Sequence, residues 1–484
     1  MINRLSITSI ILCIITVIPA CIRNPVTGRK QVSFMTPEQE EQIGAQNDPV
    51  IVSQFGLYED QQLQSFIKQK GQQMVARSHT PDEDFEFKIL DSPVINAFAL
   101  PGGYIYFTRG IMAHFNNEAQ FAGVLGHEIG HVTARHSAEQ YTKQTLGQIL
   151  FIGGLIISPE FRQFAEEAQQ GLGLLFLSFS RSNESQSDIL GVNYSSYIGY
   201  DAHEMADFFR TLERKTENTE AGRIPEFMST HPNPGRRYQK VNKLATEWQE
   251  ENGATNLKVN REEYLRMIDN MVYGEDPRQG YTDNNVFYHP DLRFQFPYPN
   301  GWQLINAPTQ VQMASKDGKA LSIFTLSAQK SIQAAQQEIV QNLNLQVVRD
   351  QNMTIGGFPA YGMVSRQVSQ GQNGQSQTLA VQTVLIDYDN TIYVFHGVTQ
   401  EGDFNRYEQT FDYIMTNFKR LTDPARLNVQ AERIDIVQAK QTASFAQVMR
   451  SYNMPSNRYE ELAILNGMEV NQQVSQGTSV KIVR

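Results

Sequence analysis

A chain of 484 residues, 40% hydrophobic and 19% charged, exceeds what one ordinary core holds and has globular rather than disordered or collagen-like composition. A formal net charge of -10 argues against nucleic-acid binding, since duplex affinity comes from clustered Lys and Arg neutralising phosphates. Both cysteines, Cys13 and Cys21, lie in the first 21 residues, so no disulfide framework staples the folded parts.

The N-terminus has the form of a secretory signal. Arg4 precedes an uncharged, mostly apolar run over residues 5–18, and Ile18-Pro19-Ala20-Cys21 sets small Ala20 before a cleavage point. That tetrapeptide resembles a bacterial lipobox. The resemblance implies acylation of the Cys21 thiol, removal of residues 1–20 and, with no Asp after Cys21, sorting to the outer membrane. Losing Arg4 takes the net charge from -10 to -11. An uncleaved anchor is the alternative, because the run nears the roughly 18-residue lower limit for spanning a bilayer.

After this tether, Thr36-Pro37-Glu38-Gln39 reads as a helix start, with Thr36 as N-cap and Gln39 closing a capping box. Leu63, Phe66, Ile67, Met74 and Val75 recur at helical spacing and predict a second amphipathic helix. The period then changes to two. Phe85, Phe87 and Ile89 alternate with Glu86 and Lys88, and runs over 95–100 and 104–108 flank Pro101-Gly102-Gly103, a strand followed by a hairpin. From Asn117 to about Gln140 the pattern predicts one helix, and helical segments continue through Thr246 with breaks at Gly199-Tyr200-Asp201 and Pro232-Asn233-Pro234. A polar linker is expected over residues 276–285. Beyond it Phe294, Phe296, Ile323, Thr325, Val381, Val384, Ile386, Tyr393 and Phe395 sit in strand-like runs, with helices near 332–343 and 403–418 and a solvated hairpin tip at 367–377. This α+β unit names no chemistry.

His127-Glu128-Ile129-Gly130-His131 falls inside the helix begun at Asn117, so both histidines project from one face toward one metal ion, and their nitrogens suit zinc. Glu128 lies about 100° around the helix, near enough to act on a water without ligating the metal. With nine histidines in the chain, a chance match is expected at about 0.01 per sequence of this composition. Phe121, Val124, Leu125 and Val132 set the helix against a core, where paired histidines need a partner. A catalytic zinc needs a third protein ligand and an open fourth position. Ala134 and Ser137 stand where the commonest extended motif has Gly and His, so that ligand comes from elsewhere. Best placed are Glu184 and Asp188 in Ser180-Arg181-Ser182-Asn183-Glu184-Ser185-Gln186-Ser187-Asp188, one turn apart behind Ser182 as N-cap. Glu184 can ligate while Asp188 accepts a hydrogen bond from a ligand histidine.

HEIGHVTARH at 127–136 with SRSNESQSD at 180–188 resembles the HtpX and CAAX prenyl protease family of gluzincin metallopeptidases, more closely its BepA-like periplasmic lipoprotein branch. Asn24-Pro25-Val26-Thr27-Gly28, Asn96-Ala97-Phe98-Ala99-Leu100-Pro101-Gly102-Gly103 and Thr230-His231-Pro232 extend the match over roughly residues 21–250. The resemblance implies His127, His131 and Glu184 as ligands of one Zn2+ per chain, Glu128 as catalytic base and peptide hydrolysis as the reaction. His231, on a Pro-rich loop, is the expected electrophile beside zinc for tetrahedral charge; in the resembling branch this histidine also occupies the open coordination site as a reversible plug. His136 reads as an outer partner or as structural. Gln186-Ser187 stand where the family usually has Glu-Ala, sparing Glu184 and Asp188. Held by the Gly102-Gly103 turn, Asn96, Ala97, Phe98 and Ala99 are expected to offer a strand edge to an extended peptide, with weak side-chain specificity. The apolar runs 150–157 and 172–179 are expected to cover the cleft as helices.

Residues 433–483 predict a strand over 434–437, helices around 445–452 and 459–465, a turn at Asn466-Gly467 and a closing strand at 480–483. This resembles a LysM fold, which implies peptidoglycan binding, although Lys440-Gln441-Thr442 replaces the usual Gly-Asp-Thr; a unit docked onto the peptidase is the other reading. The expected whole is multidomain: a signal peptide over 1–20, a tether and first helix over 21–50, and a mainly α zincin-type metalloprotease domain with a small β-sheet over 51–275. An α+β domain over 285–422 and a LysM-like domain over 430–484 follow. The expected function is that of a zinc metalloendopeptidase at the periplasmic face of the bacterial outer membrane, anchored through acylated Cys21 and hydrolysing unfolded or misassembled envelope proteins. Peptidoglycan or envelope assembly machinery are the further partners, and nucleic acid is none. The competing class is a non-catalytic or latent envelope chaperone or scaffold with a structural zinc. A closed four-ligand site including His231 would fit that class or a latent protease.

Overall fold

The computed structural model describes residues 20–33, 35–144, 179–217, 227, 231, 234–307, 309–370 and 376–484. The apolar signal run, the run 150–157, most of the run 172–179 and residues 371–375 of the expected hairpin tip at 367–377 lie outside the described residues, the flanks of that tip being strand.

Strands β1 (Ala20–Arg23) and β2 (Lys30–Ser33) pair antiparallel, so the expected tether is a hairpin. Helix α1 (Pro37–Phe55) starts with the capping box its sequence predicts, Thr36 and Gln39 each satisfying the other's backbone N–H. Helix α2 (Gln61–Val75) lies against a three-stranded sheet of β3 (Glu86–Leu90), β4 (Ala97–Leu100) and β5 (Tyr104–Thr108). Strand β5 is central, parallel to β3 and antiparallel to β4. The β4–β5 turn puts Gly102 and Gly103 at φ 78° and 87°, backbone that side chains disfavour.

Helices α3 (Arg109–His114) and α4 (Glu118–Thr133) follow, α4 capped by Asn117. The expected single helix to about Gln140 is two. Arg135 adopts φ 56°, and α5 (His136–Gln144) starts in a new direction. The break is tertiary: Glu40 and the Met35 carbonyl grip the Arg135 guanidinium, and Asn24 takes the Ala134 carbonyl that a continuing helix would use. Helix α6 (Arg181–Tyr197) is capped by Ser180, two residues before the predicted Ser182; the Ser180 side chain accepts from the Asn183 N–H. Helices α7 (His203–Glu217), α8 (Pro234–Asn252) and α9 (Arg261–Met267) follow among the described residues of this body. A seam of small residues lets α4 and α6 approach. A Cβ on Gly126 would lie 3.0 Å from the Gly191 carbonyl, and one on Gly191 would lie 3.0 Å from that of Gly123.

Part of the predicted linker is ordered structure. Strands β6 (Tyr281–Asp283) and β7 (Val286–His289) form a hairpin whose Asn284 and Asn285 both have positive φ, the geometry of a tight primed turn. With β8 (Phe294–Pro297) and a late β16 (Lys419–Arg420) they make a four-stranded sheet. Between them run β9 (Gln303–Ala307), β10 (Gln310–Ala314), β11 (Ala320–Leu326), α10 (Ile332–Asn342), β12 (Gln346–Ile355), β13 (Phe358–Gln370), β14 (Ser376–Tyr388), β15 (Thr391–Gln400) and α11 (Phe404–Thr416). They build an antiparallel seven-stranded sheet ordered β12-β13-β14-β15-β11-β10-β9. After α12 (Pro424–Leu427), the chain ends in β17 (Ile434–Gln438), β18 (Ala443–Ser444), α13 (Phe445–Ser451), α14 (Tyr459–Leu465), β19 (Gln473–Val474) and β20 (Ser479–Val483). Strands β17 and β20 pair antiparallel, with both helices between them in the chain. Among the described residues no helix is long and apolar enough to cross a membrane.

Candidate metal centre

Helix α4 carries His127 and His131 on one face, and the glycine seam brings the first turns of α6 alongside with Glu184 and Asp188. His231 enters from the residues before α8. One nitrogen or oxygen from each of His127, His131, Glu184 and His231 lies within 4.8 Å of the others, all four residues buried. The His127 and His131 Nε2 atoms are 3.0 Å apart, His231 Nδ1 is 3.3 Å from His127 Nε2 and 2.9 Å from Glu184 Oε1, and His131 Nε2 is 3.4 Å from that oxygen.

The outer contacts orient these rings. His127 Nδ1 faces Asp188 Oδ1 at 3.3 Å. His131 Nδ1 faces His136 Nδ1 at 3.1 Å, and His136 Nε2 lies 3.0 Å from Gln186 Oε1. The tautomers assigned from this network put a proton on His136 Nε2, which donates to the amide oxygen, and another on His131 Nδ1, which donates to His136 Nδ1. With the His127 Nδ1 proton likewise directed at Asp188, the two ligand-face Nε2 lone pairs lie 3.0 Å apart, an arrangement that a cation between them would relieve. Nitrogen, nitrogen and carboxylate oxygen are the donor types zinc takes. Glu128 Oε1 and Oε2, Glu184 Oε2 and His231 Nε2 are buried without a hydrogen-bond partner among the described residues, which marks polar space that these side chains alone do not satisfy.

Electrostatics follow from burial and from one residue the sequence analysis missed. Arg237, in the first turn of α8, donates to Asp188 Oδ1 at 2.7 Å, lies 3.4 Å from Glu184 Oε2 and stacks its guanidinium 4.0 Å from the centre of the Phe209 ring. A faint signal existed: Asn233, Pro234, Lys240 and Val241, its neighbours at helical spacing, include no acid, so a buried arginine had to find its partner elsewhere. Burial opposes ionisation of Glu184 and Asp188. The charges of His231 and Arg237 at Glu184, and of Arg237 at Asp188, outweigh it and hold both carboxyls below their ordinary range. Burial, reinforced by Arg237, lowers His127 to about 4, and burial takes His131 well below its usual value, so both imidazoles are neutral, the ligand form. At His231 burial works against the proton, but Glu184 and Glu128 keep it above the ordinary value. Burial pushes the Glu128 carboxyl up to about 7.

Of the four residues expected to receive substrate, Asn96 is buried, with its Oδ1 unpartnered among the described residues. Strand β4 is an edge of its sheet. Ala97 and Ala99 face the core shared with α4, whereas Phe98 packs on the other face with Ile51, Leu90, Leu100 and Tyr106. The Ile95 carbonyl, just before β4, accepts from the Phe227 N–H at 3.1 Å, and the His231 N–H in turn donates to the Phe227 carbonyl at 2.8 Å. The Phe227 ring stacks on His231 with centres 4.5 Å apart.

Residues 61–245 match the model of Peptidase family M48, and that segment holds every donor of the cluster. The chain is 28% identical over 223 residues to the beta-barrel assembly-enhancing protease of Escherichia coli (strain K12), covering 44% of this chain and 45% of that protein. It is 27% identical over 235 residues to the protein of that name from Yersinia pestis, covering 46% and 47%. To the mitochondrial metalloendopeptidase OMA1 of Arabidopsis thaliana it is 30% identical over 183 residues, covering 37% and 36%. The chain spans less than half the length of each of these relatives.

Proposed function

We propose that this chain is a zinc metalloendopeptidase of the bacterial cell envelope that hydrolyses unfolded or misassembled envelope proteins. The observation that carries the reading is the buried convergence of three imidazoles and a carboxylate beside a Glu128 carboxylate with no hydrogen-bond partner among the described residues. His127, His131 and Glu184 would hold the zinc, which supplies a Lewis acid toward the scissile carbonyl and acidifies a water. Glu128 carries the proton. Buried beside the ligand cluster, it would take a proton from the attacking water and return it to the leaving amine. Asp188 and His136 hold the ligand rings by their Nδ1 sides, and Arg237 balances the buried carboxylates. The outer edge of β4 receives an extended peptide by main-chain hydrogen bonds; Phe98, turned to the other face, leaves that edge to read backbone rather than sequence.

The geometry favours a latent form of this enzyme. His231 Nδ1 completes a set of four donors, and the Phe227 N–H takes the Ile95 carbonyl two residues before β4, so neighbouring residues of one segment reach both the metal position and the approach to that strand. The envelope setting draws on the lipobox resemblance and on the names of the bacterial relatives. With Asn24 bonded to α4, only about 10 Å of extended chain separates an acylated Cys21 from the peptidase body. The C-terminal unit acts as a docked part of that body: the Asn466-Gly467 turn sits against Asn116 and Thr211.

The test is casein cleavage by zinc-loaded protein lacking residues 1–20 and carrying Cys21→Ser, beside Glu128→Gln and His231→Ala. Glu128→Gln is expected to lose about two to four orders of magnitude in rate with zinc retained. A faster His231→Ala identifies the plug, and a slower one makes His231 a donor to the tetrahedral oxygen. Stoichiometric zinc with no cleavage by any form would overturn the hydrolytic reading in favour of a scaffold.

A further inference from the structure

The motif Asn24-Pro25-Val26-Thr27-Gly28 has no part in the chemistry above, yet Asn24 is buried. Its Oδ1 accepts the Val26 and Thr27 N–H groups at 3.0 Å each, and its backbone closes the hairpin with Arg29 and Gly28. Its Nδ2, facing the other way, donates to the Ala134 carbonyl at 2.8 Å, at the C-cap of the helix that bears His127 and His131. The next residue, Arg135, is held at φ 56°, a conformation costly for a residue with a side chain. What holds it is a second clamp from the N-terminal segment. Arg135 Nε donates to Glu40 Oε1 at 2.9 Å, its Nη2 donates to the Met35 carbonyl at 3.1 Å, and both charged side chains are buried. His136 follows directly. The kink turns it back so that its Nδ1 meets His131 Nδ1 at 3.1 Å, while a straight helix would carry it away from the ligand face.

We propose that residues 24–40 form a positioning strap for the metal centre, in which Asn24 and Glu40 hold the Ala134–Arg135 kink so that His136 accepts the His131 Nδ1 proton and keeps His131 Nε2 free for the metal. The proposal rests on the reading of the cluster as a zinc site. Asn24 and Glu40 touch neither metal nor substrate and act only through His136. The hairpin next to the anchor at Cys21 is thereby part of the peptidase.

The test uses the chain from residue 21 with Cys21→Ser and measures affinity for Zn2+ by chelator competition. The variants are Asn24→Asp, which keeps the acceptor bonds to Val26 and Thr27 but cannot donate to Ala134, Glu40→Gln, His136→Ala and the double variant Asn24→Asp/His136→Ala. Asn24→Asp and Glu40→Gln are expected to weaken zinc binding about 10- to 100-fold, the range for losing an outer partner of a ligand. In the His136→Ala background, Asn24→Asp is expected to have no further effect, and nitrogen-15 imidazole spectra of zinc-loaded Asn24→Asp are expected to show His131 in mixed tautomers. A merely structural role moves neither readout: additive losses in the double variant, or wild-type affinity in both Asn24→Asp and Glu40→Gln, overturn the strap while leaving the metal site standing. A wild type that binds no zinc removes the metal reading and the strap with it.

Discussion

The two units that follow the helical body bury their apolar residues differently. The seven-stranded unit keeps its cores to itself: Phe287, Phe294, Phe324, Phe395, Phe411 and Phe418 pack together, with smaller clusters on the other face of the sheet. The C-terminal unit has no separate core. Phe445, Leu465, Val480 and Ile482 belong to the same cluster as Phe107, Ile111, Phe115 and Leu212 of the body. Polar contacts repeat the contrast, since buried Lys481 donates to the Ala113 and Phe115 carbonyls at 2.9 Å each, capping α3 from 366 and more residues away. Tyr273 donates to Glu461, and Arg261 donates to the Ser479 carbonyl. The larger insertion is thus a neighbour, and the smaller tail is part of the helical body.

The sharpest way to break that contrast is deletion. Phe445, Leu465, Val480 and Ile482 at about 1.5–3 kcal/mol each rival the whole 5–15 kcal/mol margin of a domain. Removing residues 431–484 is therefore expected to abolish soluble, zinc-binding protein, whereas replacing residues 281–422 by a flexible linker is expected to preserve it; equal behaviour of the two deletions contradicts the comparison. Next come matched cavities. Phe445→Ala and Phe395→Ala should each cost about 3–5 kcal/mol. In calorimetry the first lowers the transition that releases zinc, and the second lowers only a separate transition.

The candidate metal centre, inside the shared body, adds a pH dependence. Burial raises Glu128 from its ordinary 4.5 to about 7, so the folded state binds that proton more tightly than the unfolded one. The stabilisation is complete below about 4.5 and is lost as pH rises through about 7. Between those limits the metal-free wild type is expected to lose on the order of 3 kcal/mol relative to metal-free Glu128→Gln, followed by denaturant titration. The smallest effect concerns Lys481. Burial, with Arg261 second, holds its ammonium well below the ordinary range, so its contribution is full above the unfolded value and shrinks as pH falls. The stability of wild type relative to Lys481→Met should rise between about pH 9 and 10 by at most about 1.4 kcal/mol, and a flat difference would show Lys481 to be solvated.

Features closed within a turn or a hairpin were legible. The Thr36 capping box, the paired runs around Gly102-Gly103 and the i,i+4 spacings of His127 with His131 and Glu184 with Asp188 read directly from local pattern. The departures share one cause. Ser182 had the right residue type for a cap, but Ser180 is where the chain enters α6. The pattern through Gln140 is helical, and the kink at Arg135 exists because Glu40 and Met35 reach it from about a hundred residues away. Asn284 and Asn285 read as linker because their polarity fits a loop as well as a tight turn.

By itself the sequence determined periodicities, caps, turns and the donor types that face one way on each helix, because backbone geometry and local sterics act over a few residues. Only the tertiary structure decided which faces meet. It set Arg237 on Asp188, Asn24 on Ala134 and Lys481 under α3, because such contacts depend on which apolar surfaces are buried together, and no local pattern records that choice.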